Sequence, residues 1–502
     1  MSSKPTQQYI PTINEKATTN EEKANQFRQT LLLSLATLPP AKMSDIKKTR
    51  SYPEPIPCTT TITKQQLEWA IGKLAPDKAP GPDEITNRVL KKNFGILYKH
   101  LLILTQACLD IGHFPSTYKR TIKLILRKSN KPDYTKTNTY RPIALENTIG
   151  KIIESIITEL LSYLIETHDL LPANHFWGRP QRTTEDPMLV LTENIYRAWK
   201  KQEIYTVVFM DVAGAFNNVH YNRLIHNMKM RRFPQQLAKM VQSFLTERTT
   251  QLRFNGETSN SMNIEVGIPQ GSLLSPILFM IYNAELLEIP KTPDLGLGFI
   301  DDIACGVSGK SVRQNTKKLK VILARSEEWK RRHGAQFEPS KYMLVYFTRN
   351  NKHNVHATIK IKDITIIPTK EARYLGVIFD QKLKFRPHME HVIKKGTKFA
   401  LAMSNIARIT WGSPFKYVRR LYTAIIRPRT QYATMVWHRP EDTWNSPAIS
   451  QAKSLTTIQW LAMKTITGCF RTTSTDALQH ETQLLPVELE MHKQIIKYLI
   501  HI

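Results

Sequence analysis

Only four cysteines occur in 502 residues. Cys58, Cys108, Cys305 and Cys469 make no CxxC pair. That excludes a disulfide framework and a zinc ribbon or knuckle, and leaves reduced thiols in an intracellular protein. No apolar run reaches the roughly 18 residues of a membrane span, so none is expected. The first 30 residues lack the apolar stretch of a signal peptide. They also lack the acid-poor character of a transit peptide, since Glu15, Glu21 and Glu22 stand beside Lys4, Lys16 and Lys23. Repeats and low-complexity tracts are absent. Acid is scarce: 42 Asp or Glu against 71 Lys or Arg leaves a net charge of +29. Such an excess opposes compaction and points to a polyanionic partner, nucleic acid ahead of anionic membrane.

The length suits roughly three structural units, and 41% hydrophobic content is normal for globular protein. Residues 1–60, broken by Pro53, Pro55 and Pro57, read as a poorly ordered lead-in with one short helix near Glu21–Leu35 that could dock on the body. Thr63 caps a helix carrying Leu67, Ile71 and Leu74 at helical spacing. Lys78–Asp83 is a rigid turn, and helical pattern follows over Ile96–Asp110. Ile122–Leu126 reads as a strand and Ile149–Thr167 as a helix capped near Asn147. Tyr205–Val212 is a continuous apolar run, the mark of a strand buried on both faces. Hairpins are expected over 250–266 around Gly256 and over Leu295–Val307, then a helix over Val312–Trp329. After Lys384 the chain turns helical. The fold class is α+β, with a body over 61–384 and a basic helical unit over 385–502.

The informative feature is acid in an unfavourable place. Asp211 ends the run Val207-Val208-Phe209-Met210, and Asp301-Asp302 sits between Phe299-Ile300 and Ile303-Ala304. Carboxylates at the ends of apolar strands are costly unless neutralised. Turn and helix capping is the plain alternative for a bare acidic pair. Three acids converging on one point suit a hard divalent cation better.

Several segments resemble one known family, the reverse transcriptases. Phe299-Ile300-Asp301-Asp302 resembles their aromatic-X-Asp-Asp hairpin. Phe209-Met210-Asp211-Val212-Ala213-Gly214-Ala215-Phe216 resembles their first palm strand, and Gly267-Ile268-Pro269-Gln270-Gly271-Ser272-Leu273-Leu274-Ser275-Pro276 their PQGxxxSP segment. Further blocks are similar to the non-LTR (LINE-like) subgroup: Lys78–Asp83, Tyr140-Arg141-Pro142-Ile143, Phe176-Trp177-Gly178-Arg179-Pro180, Tyr374-Leu375-Gly376-Val377 and Ile466–Thr473. Departures from the pattern are Asn217, Trp177, Gln181 and the pair Phe299-Ile300. None removes a metal ligand, though Trp177 replaces a glycine and could crowd a turn.

The resemblance implies a right-hand polymerase with fingers, palm and a helical thumb, extending a DNA primer on an RNA template with dNTPs. It implies two Mg²⁺ ions (Mn²⁺ the alternative) on Asp211, Asp301, Asp302 and the Val212 carbonyl. It makes Lys341 the donor to the leaving pyrophosphate and Phe216 the aromatic gate at the ribose. Gln270 and Gly271 then contact nucleotide or template, and Arg141 and Lys128 the triphosphate. It places the protein in the nucleus, with the mitochondrion as the alternative; oligomeric state is open. Residues 385–502 hold 16 Lys or Arg against 7 Asp or Glu. There Lys394, Lys395, Lys398, Arg408, Arg419, Arg420, Arg427 and Arg429, interleaved with Trp411, Tyr417 and Tyr422, could line one nucleic-acid groove. Two other readings stay open: a catalytically inactive nucleic-acid-binding remnant, and a group II intron maturase-like enzyme.

Overall fold

The computed structural model describes residues 9–32, 41–129, 131–351, 353, 355–407, 412–438 and 447–501. Two five-stranded sheets organise the body. The first, here the fingers sheet, has β1 (Arg120–Arg127), β2 (Tyr140–Glu146), β4 (Arg248–Phe254), β5 (Glu257–Thr258) and β6 (Met262–Ile264). β1 pairs antiparallel with β2 and parallel with β4. The second, the palm sheet, runs β10–β3–β8–β7, with β3 at Ile204–Ala213, β7 at Leu295–Phe299, β8 at Asp302–Gly309 and β10 at Met343–Phe347. β9 (Gln336–Phe337) pairs with the end of β3. The expected hairpins over 250–266 and 295–307 are the β4–β6 and β7–β8 pairs.

Local rules explain most element ends. Thr63 makes a full capping box with Gln66 at the start of helix Lys64–Lys73, whose Leu67 and Ile71 are buried. Helix Thr148–Thr167 begins where expected, but Asn147 gives it no side-chain cap. Its amide is drawn instead to the Lys78–Asp83 turn: Oδ1 accepts from the Asp83 N–H at 3.2 Å and Nδ2 donates to the Thr117 carbonyl at 2.9 Å. That turn lies so close to β2 that a Cβ on Gly81 would stand 2.4 Å from the Glu146 carbonyl carbon, which is why glycine stands there.

The core follows from the two sheets. One apolar cluster fills the space between the palm sheet and helices Thr148–Thr167, Tyr221–Met230, Gln235–Leu245, Ser275–Leu287 and Val312–His333. A second joins the other palm face (Tyr205, Val207, Phe209, Leu297) to helices of the C-terminal region through Met403, Trp437 and Ile458. Short pairs β11–β12 (Ile359–Ile361, Ile364–Ile366) and β13–β14 (Glu371–Tyr374, Val377–Asp380) precede helix Arg386–Ser404.

Part of the 1–60 segment is well packed. Helix Asn20–Leu31, capped by Thr19 and Glu22, lays Phe27 edge-on to Tyr140 and Phe254 of the fingers sheet. With Ile10 and Ile13 it forms a small core of its own. Residues 1–8 and 33–40 of that segment lie outside the described residues. Phe94–Ile111 is long and apolar enough, by length and composition alone, to cross a membrane. The expectation of no unbroken apolar run stands, since Lys99, His100, Gln106 and Asp110 interrupt this helix. Its Leu101, Cys108 and Leu109 are buried, on a helix packed against Lys64–Lys73 and Gln235–Leu245.

Candidate active site

The register of the palm sheet sets the centre. β3 and β8 pair antiparallel from Ile204↔Gly309 to Asp211↔Asp302, so two carboxylates end the same ladder opposite each other. Asp301 belongs to the tight turn between β7 and β8 and accepts the Val212 N–H at 3.0 Å through its carbonyl. The turn's other residue, Ile300, has φ +57°, strained backbone for a β-branched side chain. It is held by Asn283, whose Nδ2 donates to the Ile300 carbonyl at 3.2 Å, while Asn283 Oδ1 meets His175 Nε2 at 2.8 Å. The Phe176-Trp177-Gly178 block runs alongside, with the Phe176 N–H donating to the Gly298 carbonyl at 3.0 Å.

Electrostatics mark the acids. Burial first, then the charge of Asp211, raises the Asp301 carboxyl, although its own backbone N–H pulls the other way. Burial and the charges of Asp301 and Asp211 push Asp302 up to about 6. Lys341 sits in the turn after β9. Its Nζ lies 2.7 Å from Asp211 Oδ2, a partner that the sequence around Asp211 does not contain. Burial opposes the Lys341 charge, but the Asp211 hydrogen bond and the charges of Asp211, Asp301 and Glu338 outweigh it and raise the ammonium. From the fingers, Arg141 acts on Asp301. Lys128 is lowered by burial and by the charges of Arg141, Lys131 and Lys341. Arg141 of the fingers therefore faces the palm acids, while Lys128 stands near Arg141 and Lys341 with its ammonium donating to the Asn138 carbonyl at 2.8 Å.

The donor set fits a hard divalent cation: all oxygens, partly buried, with two carboxyls raised by burial and by the like charges of their acidic neighbours. Among the described residues, no three acidic, His or Cys side chains already stand at ligating spacing. Asp211 is turned to Lys341 instead. An ion drawing on Asp211 would compete with that ion pair.

The other predicted residues fall around this centre. Gln270 passes its carbonyl to the Ala144 N–H at 2.7 Å, and its buried Oε1 has no hydrogen-bond partner among the described residues. Gly271 has φ +125°, and a Cβ there would stand 2.6 Å from the Ala144 carbonyl oxygen, so only glycine lets the loop lie on β2. Phe216 is half-buried, stacked on Phe279 (ring centroids 5.5 Å) and edge-on to Trp177 (6.1 Å). Trp177 closes an aromatic trio with Phe216 and Phe279. Tyr374 sits 5.1 Å from Phe209, and the Tyr432 hydroxyl donates to the Leu375 carbonyl at 3.0 Å.

The C-terminal basic group is divided. Arg419 donates to the carbonyls of Thr482 and Gln483, Arg427 pairs with Glu490 at 3.3 Å, and Arg429 lies over the Phe399 ring. Tyr422 is buried, while Lys394, Lys395, Lys398, Arg420 and Tyr417 are exposed. Arg408 and Trp411 lie outside the described residues. Sequence reasoning missed Glu146, Glu154, Arg248 and Ser272, a buried polar cluster under the Gln270 loop. The available signal was Glu154 itself, an acid within the run Ile152-Ile153-Glu154-Ser155-Ile156-Ile157.

Residues 127–379 match the reverse transcriptase (RNA-dependent DNA polymerase) family. A Drosophila melanogaster protein named "Probable RNA-directed DNA polymerase from transposon BS" is 25% identical over 444 residues, covering 87% of this chain and 48% of that protein. The RNA-directed DNA polymerase from mobile element jockey of the same fly is 26% identical over 358 residues, covering 70% and 38%. The chain spans about half the length of the curated relatives it matches. Apo telomerase from Candida tropicalis, truncated from the C-terminal domain, overlaps 52% of this chain and 53% of its own at 12% identity, with a TM-score of 0.37. That overlap adds nothing to the assignment. The match spans half of the sequence and takes in Asp211, the Gln270 loop and the Asp301-Asp302 hairpin together; the chain belongs to the reverse transcriptase family.

Proposed function

We propose that the chain is the polymerase part of a non-LTR retrotransposon protein, copying RNA into DNA by extending a DNA 3′-hydroxyl with dNTPs. The observation that carries this reading is the in-register pair Asp211↔Asp302 at the end of the palm ladder, with the cations Lys341 and Arg141 acting on the acids there. Reverse transcriptases generally use divalent metal ions. Here Asp211, Asp301, Asp302 and the Val212 carbonyl would hold two Mg²⁺, or Mn²⁺ in their place. The chemistry supplied by that pair of ions is acidification of the primer hydroxyl and neutralisation of the triphosphate.

The protein's own groups do the rest by position and charge. Arg141 and Lys128 clamp triphosphate oxygens. Lys341, held protonated by the acids around it, passes a proton to the leaving pyrophosphate. Gln270 offers its amide to nucleotide or template, and Gly271 keeps that loop against β2. Phe216 sets a flat ring against the ribose. The exposed Lys394, Lys395, Lys398 and Arg420 bind phosphates of the hybrid, giving a steep salt dependence. The nucleus is the compartment this reading implies.

The test is primer extension on an RNA template. Asp211→Asn and Asp302→Asn should each lose at least about 100-fold in rate, roughly 2.7 kcal/mol of barrier, with hybrid affinity near wild type. Variants that keep a tenth of the rate would remove these residues from the site. A second reading is an inactive nucleic-acid-binding remnant, favoured by the Lys341–Asp211 ion pair. It requires salt-dependent hybrid binding with no extension by the wild-type chain.

A further inference from the structure

Glu154 comes from helix Thr148–Thr167, and its side chain is almost entirely buried (1% exposed). Its Oε2 accepts from the Ser272 hydroxyl, the Leu273 N–H at 3.1 Å and the Leu274 N–H at 3.5 Å. Ser272 Oγ in turn accepts the N–H groups of Leu274 at 3.1 Å and Ser275 at 3.3 Å, closing the start of helix Ser275–Leu287. Two residues earlier, Gln270 and Gly271 lie on the backbone of Ala144. The loop is therefore pinned at both ends, to β2 at 270–271 and to Glu154 at 272–274.

We propose that Glu154 is a positioning residue for nucleotide incorporation, fixing from the fingers helix where Gln270 and Gly271 present themselves. This rests on the polymerase reading of that loop. The chemistry of the side chain makes the assignment specific. Glu146 lies beside Glu154, and its Oε1 accepts from Arg248 Nη2 at 3.0 Å. Burial and the Glu146 charge push the Glu154 carboxyl well above the usual carboxylate range, against the pull of Ser272 and Arg248. Lys123, also buried, and Lys119 face Arg248 as well. The loop needs only an acceptor from this side chain, the single oxygen Oε2. A glutamine of the same shape keeps that acceptor without a charge.

The experiment uses the full chain with an RNA–DNA hybrid and dNTPs, plus amide hydrogen exchange of the loop. Glu154→Ala should raise the KM for dNTP by about tenfold or more while kcat and hybrid affinity stay within about threefold, because only the placement of the loop is lost. Ser272→Ala, too small a change to unfold the protein, should move in the same direction. Glu154→Gln should keep KM within about twofold of wild type. The amides of Leu273 and Leu274 should lose protection in Glu154→Ala and Ser272→Ala and keep it in Glu154→Gln. Overturning results are Glu154→Gln as damaging as Glu154→Ala, or kcat, KM and melting temperature falling together in all three variants. A wild-type chain without extension would sink the polymerase reading instead. The exchange pattern would still decide the loop: unchanged protection in Glu154→Ala overturns the pinning.

Discussion

Lys341 Nζ stands 2.7 Å from Asp211 Oδ2, joining two residues 130 positions apart. The pairing of β9 with β3 brings them together, with Val212 opposite Phe337. Lys341 is mostly exposed, 61% against 16% for Asp211, so the ion pair is weak and exchangeable. A divalent cation with phosphate ligands should displace the ammonium from Asp211 and leave it free to act as an acid. Lys341→Met is expected to lower kcat for extension by about 100-fold, within the range for losing a general acid. The same variant should show a larger rise in melting temperature on adding Mg²⁺, because the competitor is gone. An unchanged kcat returns Lys341 to the surface.

The raised carboxyl of Asp302 gives a pH signature. Burial and its acidic neighbours hold it at about 6 against 3.8 in an unfolded chain. Between those values the folded state binds more protons, so this group's contribution to stability falls as pH rises. His175, His388 and His438, each pushed down to about 4 chiefly by burial, pull the opposite way. The difference between wild type and Asp302→Asn isolates the carboxyl. Without divalent metal, the variant should match wild type near about pH 4 and melt above it near about pH 7. Mg²⁺ should close the gap by stabilising wild type more. A pH-independent difference would show that Asp302 does not titrate in this window.

Much of this arrangement is legible in the residues, for local reasons. Asp211 ends an apolar run whose phase shows a doubly buried strand, and Asp301-Asp302 interrupts a pattern that reads as a hairpin on either side. Thr63 with Gln66 is a capping signal within four residues. What stayed hidden depends on distant partners. Asn147 looks like a helix cap, yet the Lys78–Asp83 turn takes its amide. Glu154 meets Ser272 across 118 positions, and no local pattern announces the match. The docking of Asn20–Leu31 needs Tyr140 and Phe254, which come from different strands.

A similar long-range contact ties the segment after residue 40 to the palm. Arg223, 1% exposed, donates to both oxygens of Asp45 at 2.6 and 2.7 Å and to the carbonyls of Lys42 and Arg332. The Arg223 hydrogen bonds hold the Asp45 carboxyl well below the usual range, against the opposing effect of burial. Asp45→Asn would leave a buried guanidinium short of a counter-charge and should destabilise by about 2 kcal/mol, less than for a fully buried pair because Asp45 is partly exposed. Asp45 has a depressed pKa, so its contribution is present above the unfolded value of 3.8 and lost as pH falls below it. Urea midpoints should therefore differ between the two proteins at neutral pH and converge in acid. Equal midpoints at neutral pH would make the ion pair incidental.

Phe216 tests the gate. It follows Asp211 by five residues and packs its ring between Phe279 and Trp177, half-buried. A nucleotide held at the acids would bring its ribose near that ring. A 2′-hydroxyl there would lose hydration without gaining a partner, at a cost of about 1–3 kcal/mol. Phe216→Ala should raise the ratio of rNTP to dNTP kcat/KM by about tenfold or more, equivalent to about 1.4 kcal/mol. The packing against Phe279 and Trp177 adds a second expected effect, a loss of about 2 kcal/mol in stability, below the range for a fully buried Phe. Phe216→Tyr keeps the ring and should leave both quantities near wild type. The measurement is steady-state kinetics with each nucleotide beside a melting curve. A large fall in melting temperature with an unchanged rNTP-to-dNTP ratio would make Phe216 a core residue and nothing more.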